Sequence, residues 1–256
     1  MTQRQDKGDA SALSASKVLV IQPDEKDPLA RFSGWLAENG VDTTVIQPFR
    51  GDEIPTELAA DGLIVLGGSM NAYAVEQFPW LADIQALYRK AAAANIPTLG
   101  ICLGAQLLAA TFDGTVTVPS PIGPEIGVVD IEWTEAGRGD PLVGDLAASF
   151  RAIAFHYDGI SALPEDAVLL GRGEHYPNQV FRLGNAVGVQ FHPEATPELF
   201  DTWCASDAAE KPEMTEFFAQ QRRRVEAADE EIVPQVYKLA KNFAAELRAA
   251  VQVQRS

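Results

Sequence analysis

"KVLVIQP" (17–23), "VDTTVIQP" (41–48), "DGLIVLGG" (61–68) and "IPTLGIC" (96–102) are short β-branched runs bounded by turn residues, and what separates them constrains the fold. "DPLARFSGWLAENG" and "FPWLADIQALYRKAAAANI" carry Leu, Phe, Trp, Ile and Tyr at helical spacing. "FRGDEIPTELAA" reads as a loop-like crossover whose last part forms a helical turn. Near-continuous apolar strands alternating with helices predict a three-layer α/β fold, with a mostly parallel sheet covered on both faces. Reactive groups in such sheets collect at the carboxyl ends of the strands, where Gly67, Gly68 and Cys102 fall.

After Phe112 the rhythm changes. "GTVTVP", "GVVDIEW", "SFRAIAFHYDGI", "AVLLGRG", "QVFRLG" and "NAVGVQFHP" follow one another without a helix of useful length, which predicts a mixed or antiparallel addition to the sheet. From Thr196 the text is helical again. Thr196 is placed to cap a helix beginning at Pro197 and Glu198 and carrying Leu199, Phe200 and Trp203. A second segment holds Met214, Phe217 and Phe218, and a third carries the stripe Ile232, Val236, Leu239, Phe243 and Leu247. The expected organisation is a disordered leader over 1–16, a catalytic domain over 17–200 and a helical extension over 201–256 packed on it.

The formal charge of −16 falls almost wholly on residues 1–200, which disfavours a phosphate-backbone partner. "QRRR" (221–224) reads as a solvated face. No apolar run reaches the roughly 20 residues of a membrane helix. Two cysteines, Cys102 and Cys204, suit a reducing cytoplasm and argue against a thiolate zinc site. His175 beside Glu174 offers no spaced ligand set, so neither a metal nor a cofactor is implied.

Cys102 stands in G-x-C-x-G between an apolar strand and "AQLLAATF". That is the pattern of a nucleophile elbow, in which the sulfur meets the amino end of a helix and Gly100 and Gly104 relieve crowding. A small buried cysteine at a turn is the competing reading. "GVQFHPEAT" supplies what a cysteine nucleophile needs: His192 as base, and Glu194 two residues on to orient it from the same side of extended backbone. The Gly-Gly of "LIVLGGSMNAY" lacks the spacing of a nucleotide loop. Its other use is an oxyanion hole, with the N–H groups of Gly68 and Leu103 facing a tetrahedral oxyanion.

"GICLGAQLLA", "GVQFHPE" and "LGGSMNAY" resemble the cysteine, histidine-glutamate and oxyanion-strand motifs of the class I glutamine amidotransferases, particularly glutaminase domains like that of GMP synthase. "PEIG" (124–127), "AFHYDGISALPEDAVLLG" (154–171) and "QVFRLG" (179–184) extend the likeness over about residues 17–200. The resemblance implies a flavodoxin-like sheet and cysteine-dependent hydrolysis of the γ-carboxamide of glutamine or of a γ-glutamyl amide, through a γ-glutamyl thioester. It makes Cys102 the nucleophile, His192 the base and Glu194 its partner, with Gly68 and Leu103 on the oxyanion. Gln106, Gly67 and the loop His156, Tyr157 and Asp158 would line the pocket of a small γ-glutamyl substrate. Tyr157 stands where many relatives have a small polar residue, and Ser69 where proline is usual. The ammonia either leaves or passes to a separate synthase. An ester or lactone hydrolase of the α/β-hydrolase type and a silent scaffold on the same fold remain alternatives. The first is disfavoured because that fold places its acid before its histidine.

Overall fold

The computed structural model describes residues 15–255. The expected leader over 1–16 lies outside them except for Ala15 and Ser16, and Ser16 opens strand β1 (Ser16–Ile21). β2 (Val41–Ile46) and β3 (Gly62–Val65) flank β1 in parallel. β4 (Thr98–Ile101) joins β3, and β11 (Ala186–Val189) joins β4, so five parallel strands run β2-β1-β3-β4-β11. Four antiparallel strands continue the sheet: β10 (Val180–Leu183), β9 (Val168–Arg172), β6 (Glu125–Trp133) and β7 (Phe150–His156). The result is an α/β fold with a mixed, mostly parallel sheet in its first half and helices on both faces.

The alternation of side chains along a strand explains why the central runs are apolar on both faces, while edge strand β2 (VDTTVI) is half-exposed. Val18 and Val20 of β1 enter one core with Phe32 and Leu36 of α1 (Ala30–Glu38), whereas Leu19 and Ile21 enter the other with Ile84 and Leu87 of α2 (Trp80–Ala93) and Leu107 of α3 (Leu103–Thr111). Residues 18–21 of the strand thus each have an apolar layer to meet, whereas Lys17 is exposed.

Three local expectations differ from the observed chain. "GTVTVP" forms β5 (Thr115–Thr117), which pairs only with β8 (Gly159–Ala162) in a separate two-stranded sheet. The crossover after β2 holds a 3-10 turn at Pro48–Arg50 and no helical turn at its end. Beyond α5 (Pro197–Glu210) and a 3-10 turn at Pro212–Met214, the two expected helical segments merge into one helix, α6 (Thr215–Arg255), which contains Pro234. A proline removes one backbone hydrogen bond, but buried Phe218, Val225, Ala228, Ile232, Val236, Leu239, Phe243 and Leu247 make one stripe across it. That stripe packs on β6, β7, β1 and α1, so it is covered by the chain's own sheet and first helix. A short helix, α4 (Glu135–Arg138), sits against β9.

Candidate active site

The carboxyl ends of β1, β3, β4 and β7 and the turn after β11 converge on one cavity of about 460 Å³, bordered also by α5. Cys102 sits between β4 and α3 with φ 50° and ψ −106°. A non-glycine residue held there costs roughly 1–3 kcal/mol, which the surroundings must impose. They do so by close approach. A Cβ on Gly104 would lie 2.2 Å from Val65 O, and one on Gly100 2.7 Å from Gly104 O. The helix therefore packs against the two strands only because both positions are glycine. The Cys102 N–H donates to Val189 O at 2.8 Å, fixing the turn to β11.

β11 ends at Val189, so His192 and Glu194 lie in a turn rather than on the extended backbone expected from sequence. The His192 N–H donates to Ile153 O of β7 at 2.7 Å, and the turn around Pro193 still brings the two side chains together. His192 Nδ1 stands 2.7 Å from Glu194 Oε1. Cys102 lines the same cavity as the imidazole. Burial alone would pull the His192 pKa down, but the Glu194 carboxylate and then the Cys102 sulfur override it and hold the imidazole well above its ordinary value. Trp203 of α5 packs on the ring at 4.5 Å between centroids, and its Nε1 donates to Lys26 O at 2.8 Å. Thr196 Oγ1 accepts from the Leu199 N–H at 3.1 Å and caps the start of α5.

Gly68 and Leu103 adjoin: a Cβ on Gly68 would lie 2.9 Å from Leu103 Cδ2. As the first residue of α3, Leu103 has an N–H with no acceptor within the helix. Gly67 lies behind them, and a Cβ there would come 2.8 Å from Asp27 Oδ1 and 2.9 Å from His192 Cε1.

Gln106, one turn into α3, donates to Asp158 O and Gln190 Oε1, both at 3.3 Å, and Gln190 Nε2 donates to Cys102 Sγ at 3.6 Å. Both ring nitrogens of His156 are engaged, Nδ1 with Asp158 O at 2.8 Å and Nε2 with Glu125 Oε2 at 2.9 Å, so this residue pins the cavity wall. Burial raises the Asp158 pKa, against the pull of His156. Tyr157 faces α5: its hydroxyl donates to Asp207 Oδ2 at 2.5 Å, and Lys211 Nζ lies 3.7 Å over its ring. Burial, then the Asp207 hydrogen bond, raises the Tyr157 pKa and keeps the phenol neutral. The Ser69 N–H and hydroxyl both donate to Asp24 Oδ2, at 3.0 and 2.5 Å, tying the glycine loop to the loop after β1.

All the site residues expected from sequence are thus in or beside one cavity. The sequence reading missed Gln190, Trp203 and the acidic loop holding Asp24 and Asp27. Asp27 could have been flagged because "QPDEKDP" sits at the carboxyl end of a parallel strand. Among the described residues, no group of three or more His, Cys, Asp or Glu side chains is arranged to hold a metal ion. His175 is exposed between β9 and β10.

Residues 34–210 match the family model described as glutamine amidotransferase class-I. A glutamine-hydrolyzing GMP synthase component of Natronomonas pharaonis is 34% identical over 182 residues, covering 67% of this chain and 89% of the relative. A glutamine amidotransferase-like protein of Salmonella typhimurium is 31% identical over 172 residues, covering 65% and 71%. The crystal structure of a glutamine amidotransferase from Thermotoga maritima superposes with a TM-score of 0.79 at 27% identity, covering 91% of this chain and 98% of that one.

Proposed function

The chain belongs to the class I glutamine amidotransferase family, and from that premise we propose that it hydrolyses the γ-carboxamide of glutamine or of a γ-glutamyl amide through a thioester on Cys102. The observation that carries this reading is the buried pair of His192 and Glu194, 2.7 Å apart, in the cavity that the strained Cys102 also lines.

In this reading the raised pKa keeps the Cys102 proton on His192, and Cys102 Sγ bonds as the thiolate to the γ-carbonyl carbon. The carbonyl electron pair moves onto oxygen, where the N–H groups of Gly68 and Leu103 receive it. When the carbonyl re-forms, the C–N bond breaks and His192 returns the proton to the leaving nitrogen, releasing ammonia or an amine. Water then attacks the thioester with His192 as base, the C–S bond breaks, and glutamate leaves as the thiol is restored. Glu194 holds the imidazole by Nδ1, so the other nitrogen is presented to sulfur and substrate. Gln106 and the wall pinned by His156 shape the pocket for the glutamyl part, and Tyr157 with Asp158 closes its side toward α5.

The relatives named as components of GMP synthase support a second protein: a synthase that receives the ammonia. The α6 stripe is already covered by the sheet, so such a partner would dock elsewhere, and hydrolysis by the protein alone is the form we favour. The experiment is ammonia and glutamate release by the purified protein from glutamine and a panel of γ-glutamyl amides, with the Cys102→Ala variant as control. Release by the parent and none by the variant is expected. Equal release by both would reject the cysteine chemistry.

A further inference from the structure

Asp27 is a buried carboxyl that this mechanism does not use. It follows β1 on the loop "PDEKDP", is only 7% exposed, and borders the cavity that holds Cys102 and His192. Its neighbours are committed elsewhere. Asp24 receives the Ser69 N–H and hydroxyl and the Lys26 N–H, and Lys26 Nζ donates to Ser206 Oγ at 2.6 Å. His192 Nδ1 is taken by Glu194, and its Cε1 edge borders the position shared with Asp27 Oδ1. The Asp27 side chain has no hydrogen-bond donor among the described residues. Burial, against the pull of His192, pushes its pKa up to about 7. A carboxyl so placed costs stability until a cation reaches it.

Gly67 marks the site as built. A side chain at 67 would collide with Asp27 Oδ1 and His192 Cε1 together, so glycine there lets an acid stand beside the imidazole edge. We propose that Asp27 anchors a primary ammonium group of the substrate beside the scissile amide. The proposal rests on the γ-glutamyl reading above and adds a specificity residue to it. Two parts of such a substrate carry that chemistry: the α-ammonium of the glutamyl moiety, and an amine on the leaving side of a γ-glutamyl diamine.

Binding separates these sources without requiring turnover. Calorimetric titrations would use Cys102→Ala protein and Cys102→Ala/Asp27→Asn protein. The ligands are glutamine, its analogue lacking the α-amino group, γ-glutamyl ethylamide and γ-glutamyl aminoethylamide. We expect Asp27→Asn to weaken every ligand that carries the anchored ammonium by about tenfold or more relative to the counterpart that lacks that group. Weakening of glutamine and of both γ-glutamyl amides, with the deaminated analogue unchanged, assigns the α-ammonium. Loss confined to the aminoethylamide against the ethylamide assigns the leaving side. An equal change for all four ligands, or none, would overturn the proposal and leave the hydrolase reading standing. Failure of every ligand to bind either protein would overturn both. If Asp27→Asn does not fold, Asp27→Ser is read by the same criteria.

Discussion

His192 Nδ1 and Glu194 Oε1 face each other at 2.7 Å in a buried turn, while Glu194 Oε2 has no hydrogen-bond partner among the described residues. The carboxylate is therefore dedicated to one imidazole nitrogen. His192→Ala should lower kcat by roughly 10²–10⁴-fold, the usual worth of a general base, and Cys102→Ala should abolish turnover. Glu194→Gln should cost less than His192→Ala, because the amide oxygen can still accept from Nδ1. Steady-state kinetics of the three variants checks this order, and a His192→Ala kcat equal to the parent's would remove His192 from the mechanism.

The two cysteines should differ in reactivity. Burial pushes the Cys204 thiol up to about 12, so it carries very little of the reactive thiolate near neutral pH. Cys102 lies at the amino end of α3 and lines the same cavity as His192. Peptide mapping after limiting iodoacetamide should find Cys102 labelled, with activity falling in step. Labelling of Cys204 that tracks the loss would reverse the assignment.

Much of this site was legible because its parts are local. The elbow is written in five consecutive residues, and the His192–Glu194 pair in three. The turn conformation of that pair was not legible, since the anchor of His192 is Ile153 in a distant strand. Asp27 was missed for a similar reason. Its run of charges reads as a solvated turn, and its burial comes from Gly67 and from elements far along the chain, His192 among them. The single helix through Pro234 depends on an apolar stripe finding β6 and β7, and intrinsic propensity argues against it. Likewise β5 has the pattern of any short strand, and nothing in "GTVTVP" says which sheet it joins.

Glycine substitutions should separate crowding from conformational freedom. Gly104→Ala places a methyl 2.2 Å from Val65 O and should destabilise the fold by several degrees in Tm or prevent folding. Gly34→Ala on α1 meets nothing within 4 Å and should stabilise it by about 0.5–1 kcal/mol. Thermal unfolding of both variants provides the comparison.

The buried Asp27 carboxyl gives a pH signature in stability. Its folded pKa of about 7 lies above the ordinary aspartate value of 3.8, so the native state holds the proton more tightly and loses stability as pH rises from about 4 to 7. His192 and Lys26 offset this cost, while Asp24 and Glu194 add to it. Asp27→Asn removes the titration and should raise Tm more at pH 8 than at pH 5. Thermal melts of parent and variant at the two values test the sign, and a larger gain at pH 5 would show Asp27 ionised in a favourable pairing.

In the proposed reaction, Cys102 Sγ is the atom that takes the acyl group. The most direct measurement is peptide mapping of the protein after incubation with a glutamine analogue bearing a diazoketone in place of the carboxamide, with glutaminase activity followed in the same tube. One equivalent bound to Cys102, activity lost in proportion, and no labelling of Cys102→Ala protein are predicted. Complete inactivation with the label on another residue, or full activity with Cys102 modified, would contradict this assignment.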